Sequence, residues 1–205
     1  MAIYKKDFHK KIKSTIDTLR KKFLNENKRL SKIVQGDDWS FMIKSLAILE
    51  SIVLRLLVTK TNDARFEKFY SRISLSQKAD LLVDLELVTK QQRKFISFLS
   101  KIRNNLAHNP DEINFNLKKY LKSLSANELN QLPNLISVSE NDKHKLSLNY
   151  IKRNPKNAIW VTLFTLLSLL IAETEMIETR RELDKLAIHT SEELLKDIAP
   201  EIFVS

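Results

Sequence analysis

A single glycine, Gly36, serves a chain of 205 residues. Glycine supplies the positive-φ conformations of tight hairpins and of phosphate-cradling loops, so its near absence argues against sheet-based folds and removes P-loop and dinucleotide fingerprints. The other strong breakers are four prolines, Pro110, Pro133, Pro155 and Pro200. Long uninterrupted helices are what such a chain can build. The expected fold class is all-α: a helical bundle of four to five core helices with a long basic N-terminal helix. The length suits one domain, with residues 1–35 as the basic helix packed on it and residues 36–205 as the helical domain. A polar insert is expected near 109–154.

Apolar periodicity places the helices. Phe8, Ile12, Ile16, Leu19, Phe23, Leu30 and Ile33 recur at helical spacing from Ile3 to about Ile33. Gly36-Asp37-Asp38 ends that helix and caps the next, which runs from Trp39 to about Val58 with so wide an apolar face that deep burial is expected. A shorter helix is expected over Ala64 to Ile73. Ser74 with Gln77, and Thr89 with Gln92, each form a capping-box signature, and the second opens a helix with Phe95, Leu99, Ile102 and Leu106 on one stripe. Pro110 forces its end near His108 or Asn109. Phe115 to Leu124 reads as a helix, and the polar run after it, LSANELNQLPNLISVSENDKHKLS, as a loop. Asn154 and Pro155 then open a long helix to about Leu186, and Thr190 with Glu193 caps a short terminal one.

The chain has no cysteine, which excludes thiolate nucleophiles, thiolate metal sites and disulfides and suits a reducing compartment. The basic N-terminus, MAIYKKDFHKKIK, lacks the apolar core of a signal peptide. The most apolar run, Ala158 to Ala172, would extend about 23 Å as a helix against roughly 30 Å of hydrocarbon, so it reads as a buried central helix. A cytoplasmic protein without a membrane span is expected.

The segment KIRNNLAHNP places Arg103 and Asn104 before His108 at the end of a capped amphipathic helix. Here the chain resembles the HEPN superfamily of all-α proteins, whose signature is Arg, a polar residue that is often Asn, a short spacer and His. Ala107 before the histidine agrees with the common form. The resemblance extends over roughly Trp39 to Leu186, because LAILESIVLRLL, SLSQKADLLVDLEL and the motif helix follow in the order such domains show. The long basic N-terminal helix and the polar insert depart from the pattern and leave the branch open, between relatives similar to the mannitol-operon repressor and relatives of the toxin or defence kind.

The resemblance implies a metal-independent endoribonuclease of the toxin or phage-defence kind, with Arg103, His108 and Asn104 as catalytic residues at a homodimer interface. Imidazole exchanges a proton near neutral pH, and a guanidinium grips phosphate oxygens with two donors. On an ideal helix Arg103 and His108 stand about 140° apart, so they converge only if the helix end unwinds or two subunits meet. The alternative it implies is a non-catalytic regulator or scaffold that binds protein or nucleic acid, and a structural Arg and His near helix-end carbonyls fit that reading. Glu50, in an otherwise apolar stretch, is a candidate to support Arg103 by a salt bridge; it could equally face solvent or pair with Arg55.

The net charge of +10 is concentrated in the first helix, where Lys10, Lys11, Lys13, Arg20, Lys21 and Lys22 are candidate nucleic-acid contacts. RNA is the partner that fits a ribonuclease. Two other fates compete: a solvated face, and pairing with the acidic stretch 173–205. A neutralising protein partner is a further expectation. The four histidines are scattered and no HExxH run occurs, so no metal and no cofactor is expected.

Overall fold

Asp37 marks the joint between the first two helices. Its side chain accepts from the Ser40 backbone N–H at 2.7 Å, and that bond holds its carboxyl below the ordinary range. The computed structural model describes residues 2–108, 114–139, 141 and 145–198, and within these the side chains of 2–8, 108, 194 and 196–198 stand outside the description. The described residues contain helices and no strand: α1 (Ala2–Val34), α2 (Asp38–Thr61), α3 (Arg65–Arg72), α4 (Leu75–Asp84), α5 (Lys90–His108), α6 (Leu117–Ser123), α7 (Ala126–Leu135), α8 (Leu148–Arg153) and α9 (Pro155–Ile198). The all-α bundle expected from the lone glycine is what the chain forms.

Helix α2 is the centre. It packs against α1, α3, α4, α5 and α9, and α6, α7 and α8 complete the bundle through contacts with one another and with α5 and α9. Phe41, Met42, Leu49, Val53, Leu56 and Leu57 on α2 are all fully buried. They meet Phe95, Ile96 and Leu99 of α5 and Leu163, Leu166 and Leu167 of α9 in one continuous core. Helix α2 stops at Asn62, whose left-handed φ of 55° suits asparagine, and whose N–H bonds the Val58 carbonyl.

Asp38 ties three elements together. Its Oδ1 pairs with Lys156 Nζ at 2.8 Å, at the start of α9, and its Oδ2 accepts from the Leu117 N–H at 2.8 Å, at the start of α6. Both capping boxes read from the sequence form: Ser74 with Gln77, and Thr89 with Gln92, where the two reciprocal bonds measure 2.8 and 3.2 Å.

Two expectations need correction. The run after Leu124, read as a loop, contains α7, opened by a Ser125–Glu128 capping box whose hydroxyl bond holds the Glu128 carboxyl below its usual range. Leu132 and Ile136 bury on the core side, and Gln91 of α5 binds the Asn134 carbonyl and, at 3.3 Å, that of Ser137. Tertiary burial overrode a polar composition and Pro133. Second, no separate terminal helix starts at Thr190. Helix α9 runs unbroken to Ile198, and the Thr190 hydroxyl donates back to the Leu186 carbonyl at 2.8 Å instead of capping. The apolar run around Leu166 lies within the 44-residue α9. By length and composition Pro155–Glu193 is apolar enough to cross a membrane, and half of its most apolar window is buried in the bundle.

Candidate functional site

Helix α5 presents the motif because its opposite side is anchored. Phe95, Leu99, Ile102 and Leu106 are all at most 3% exposed, which fixes the rotation of the helix in the core. Arg103, Asn104, Asn105 and Ala107 are therefore driven outward, and all four are exposed. The Arg103 guanidinium touches the Asn104 carbonyl oxygen at 3.4 Å, and no carboxylate of the described residues pairs with it. Its planar donors are left facing solvent, in the state a phosphate ligand needs.

The backbone remains helical through His108, the last residue of α5. Of the two routes by which Arg103 and His108 positions could converge, unwinding of the helix end before the histidine is therefore not taken. The positions stay about 140° apart around one axis. The His108 side chain, and Asn109 and Pro110 after it, lie outside the described residues.

Glu50 does not support Arg103. Its Oε1 accepts from Lys78 Nζ at 2.9 Å, and Lys78, on α4, is only 1% exposed. A buried ammonium needs an anion, and Glu50 is the one that meets it. The pairing with Arg55 is not formed either, since Arg55 reaches Glu175 and Glu178 of α9, each at 3.3 Å. Lys78 was passed over in the sequence because lysine within a helix pattern reads as solvent-facing; its place on the same side as the buried Leu75, Ala79 and Leu82 was the available signal.

The cations of α1 divide by register. Lys11 pairs with Glu182 and Lys22 with Glu175, so these two candidates serve the α1–α9 seam, which Thr15 and Thr179 continue with a 3.0 Å hydroxyl contact. Lys10, Lys13, Arg20 and Lys21 are exposed, and no carboxylate of the described residues pairs with them. At 100° per residue these four fall within a sector of about 100°, interrupted by Asp17, and the seam lysines fall outside it.

Clefts among the described residues include the following four. One of about 150 Å³ lies among Lys22, Glu26, Arg55 and Glu175. Others lie beside Arg29, Lys32 and Lys44, between Ile16 and Met176, and beside Asp80 and Arg93. Arg103 and Asn104 line none of these four. Among the described residues no group of three or more His, Asp or Glu side chains is gathered in metal-binding geometry. Compared with protein-family models, curated proteins and solved structures, the chain matches none.

Proposed function

We propose that this chain is a HEPN-like, metal-independent endoribonuclease of the toxin or phage-defence kind, whose site is completed by a second copy of the chain. The observation that carries the reading is a core-anchored helix, unbroken to His108, that leaves Arg103 and Asn104 exposed and, among the described residues, the guanidinium without a carboxylate. Arg103 binds the scissile phosphate and offsets charge as it develops, while His108 exchanges a proton with the ribose hydroxyl or the leaving oxygen. Asn104, in contact with Arg103, orients it. Because the two main positions diverge on one helix, Arg103 of one chain works with His108 of the other. The outer row of Lys10, Lys13, Arg20 and Lys21 supplies a salt-dependent attraction for RNA. The same bundle without catalysis, as a regulator or scaffold, is the competing reading.

The test is incubation with mixed cellular RNA in excess chelator, comparing the parent with His108→Ala and Arg103→Ala at matched folding and oligomeric state. Cleavage by the parent and a loss of about 10²–10⁴-fold in each variant is expected, the range for removing a general acid or base. Inertness of all three across several RNA pools would favour the regulator reading.

A further inference from the structure

Helix α3 packs on α2 through Tyr70, 5% exposed, and Ile73, while its two phenylalanines stay half in solvent, Phe66 at 45% and Phe69 at 54%. The three rings form one unit. Phe66 stacks on Tyr70 with centroids 5.9 Å apart and planes at 24°, and Phe69 meets Tyr70 edge to face at 5.6 Å and 61°. Tyr70 is the buried support that fixes both rings, and each phenylalanine keeps free ring surface toward solvent.

A row of cations runs beside Phe69, on the side of that ring away from Phe66. Lys68 and Arg72 lie one turn apart, and Arg72 is about 60° around the axis from Phe69. No carboxylate of the described residues pairs with either cation. Arg65, by contrast, is held by Asp63 with Nη2 to Oδ2 at 2.6 Å, and the one acid within α3, Glu67, lies about 100–140° from the Lys68–Arg72 row. No residue of α3 lines any of the four clefts. Free aromatic faces beside unpaired cations are the two components with which proteins hold single strands: bases stack on rings of any sequence, and phosphates follow the positive charge.

We propose that α3 is a docking platform for single-stranded nucleic acid, with bases stacked on Phe66 and Phe69 and phosphates held by Lys68 and Arg72. The platform shares no residue with the motif. Asp38, which holds Leu117 soon after the motif, opens α2, whereas α3 follows the other end of that 24-residue helix, about 36 Å away. It therefore binds a strand whether or not the motif cuts one.

The experiment is fluorescence anisotropy of the full chain with a labelled, unpaired 2′-O-methyl RNA of about 12 nucleotides, a length within the site sizes of single-strand binders. This probe has no free 2′-hydroxyl to attack the neighbouring phosphate, so the ribonuclease chemistry cannot consume it. Phe66→Ala with Phe69→Ala is expected to weaken binding at least tenfold, and Phe66→Trp with Phe69→Trp to retain it. Lys68→Ala with Arg72→Ala is expected to lower the slope of log affinity against log salt by about 1.4. Failure of the parent to bind, or unchanged binding by the double alanine variant, overturns the platform; if that variant instead loses self-association, the rings face a second copy of the chain. Neither result touches the cleavage assay, which judges the motif by itself.

Discussion

Lysine-rich α1 and the tip of α5 both present positive charge, yet the charge is used differently in the two regions. Along α1, Lys11 and Lys22 turn toward α9 and are occupied by Glu182 and Glu175, while their neighbours Lys10 and Lys21 are exposed and pair with no carboxylate of the described residues. At the tip of α5, Arg103 touches the Asn104 side-chain amide and pairs with no carboxylate of the described residues. One step in sequence separates a structural cation from a free one. Register against a partner helix therefore decides which charges are open to a ligand, and density of lysine does not.

The comparison can be strained first where a cation is most deeply committed. Glu50→Gln strands the buried Lys78 ammonium and is expected to cost about 2–3 kcal/mol in chemical denaturation, somewhat below the range for breaking fully buried pairs because Glu50 itself is partly exposed. Lys78→Met, which removes the charge and keeps the volume, should recover most of that loss in the Glu50→Gln background. A loss well under 1 kcal/mol for Glu50→Gln would mean that the ammonium finds water or another partner. The smaller effect separates two adjacent residues. Lys22→Ala is expected to destabilise by about 1–2 kcal/mol, since Glu175 keeps Arg55, and Lys21→Ala by less than about 0.5 kcal/mol. Equal losses at the two positions would remove the distinction between seam and outer face.

The fold was legible in the sequence to the extent that local signals carried it. Gly36 with Asp37, the Ser74–Gln77 and Thr89–Gln92 boxes, and Pro155 at a first turn all did what their chemistry implies, because a cap needs only residues three or four apart. Helix α7 escaped because its stability comes from Leu132, Ile136 and the Gln91 side chain, which are brought together only by the tertiary fold. The continuity of α9 escaped because a Thr190–Glu193 spacing was read as a start, although nothing before Pro200 stops a helix there. The site follows the same division. The exposure of Arg103 and Asn104 was implied by the stripe from Phe95 to Leu106, whereas the partner of Glu50 was not, since it lies 28 residues away on another helix. The aromatic ridge of α3 was in plain view as RFEKFYSR, but that Tyr70 alone turns inward depends on how α3 sits on α2.

The central claim is that Arg103 and His108, diverging on an unbroken helix, act together only between two chains. Mixing the inactive Arg103→Ala and His108→Ala proteins, with subunits allowed to exchange, tests it directly. A mixed dimer then holds one site with an intact Arg103 from one chain and an intact His108 from the other, and RNA cleavage in chelator is expected to return to about a quarter of the parent's activity for random pairing, half the dimers each carrying one of two sites. Cleavage by the parent with no recovery in the mixture, at verified subunit exchange, would contradict a site shared between chains.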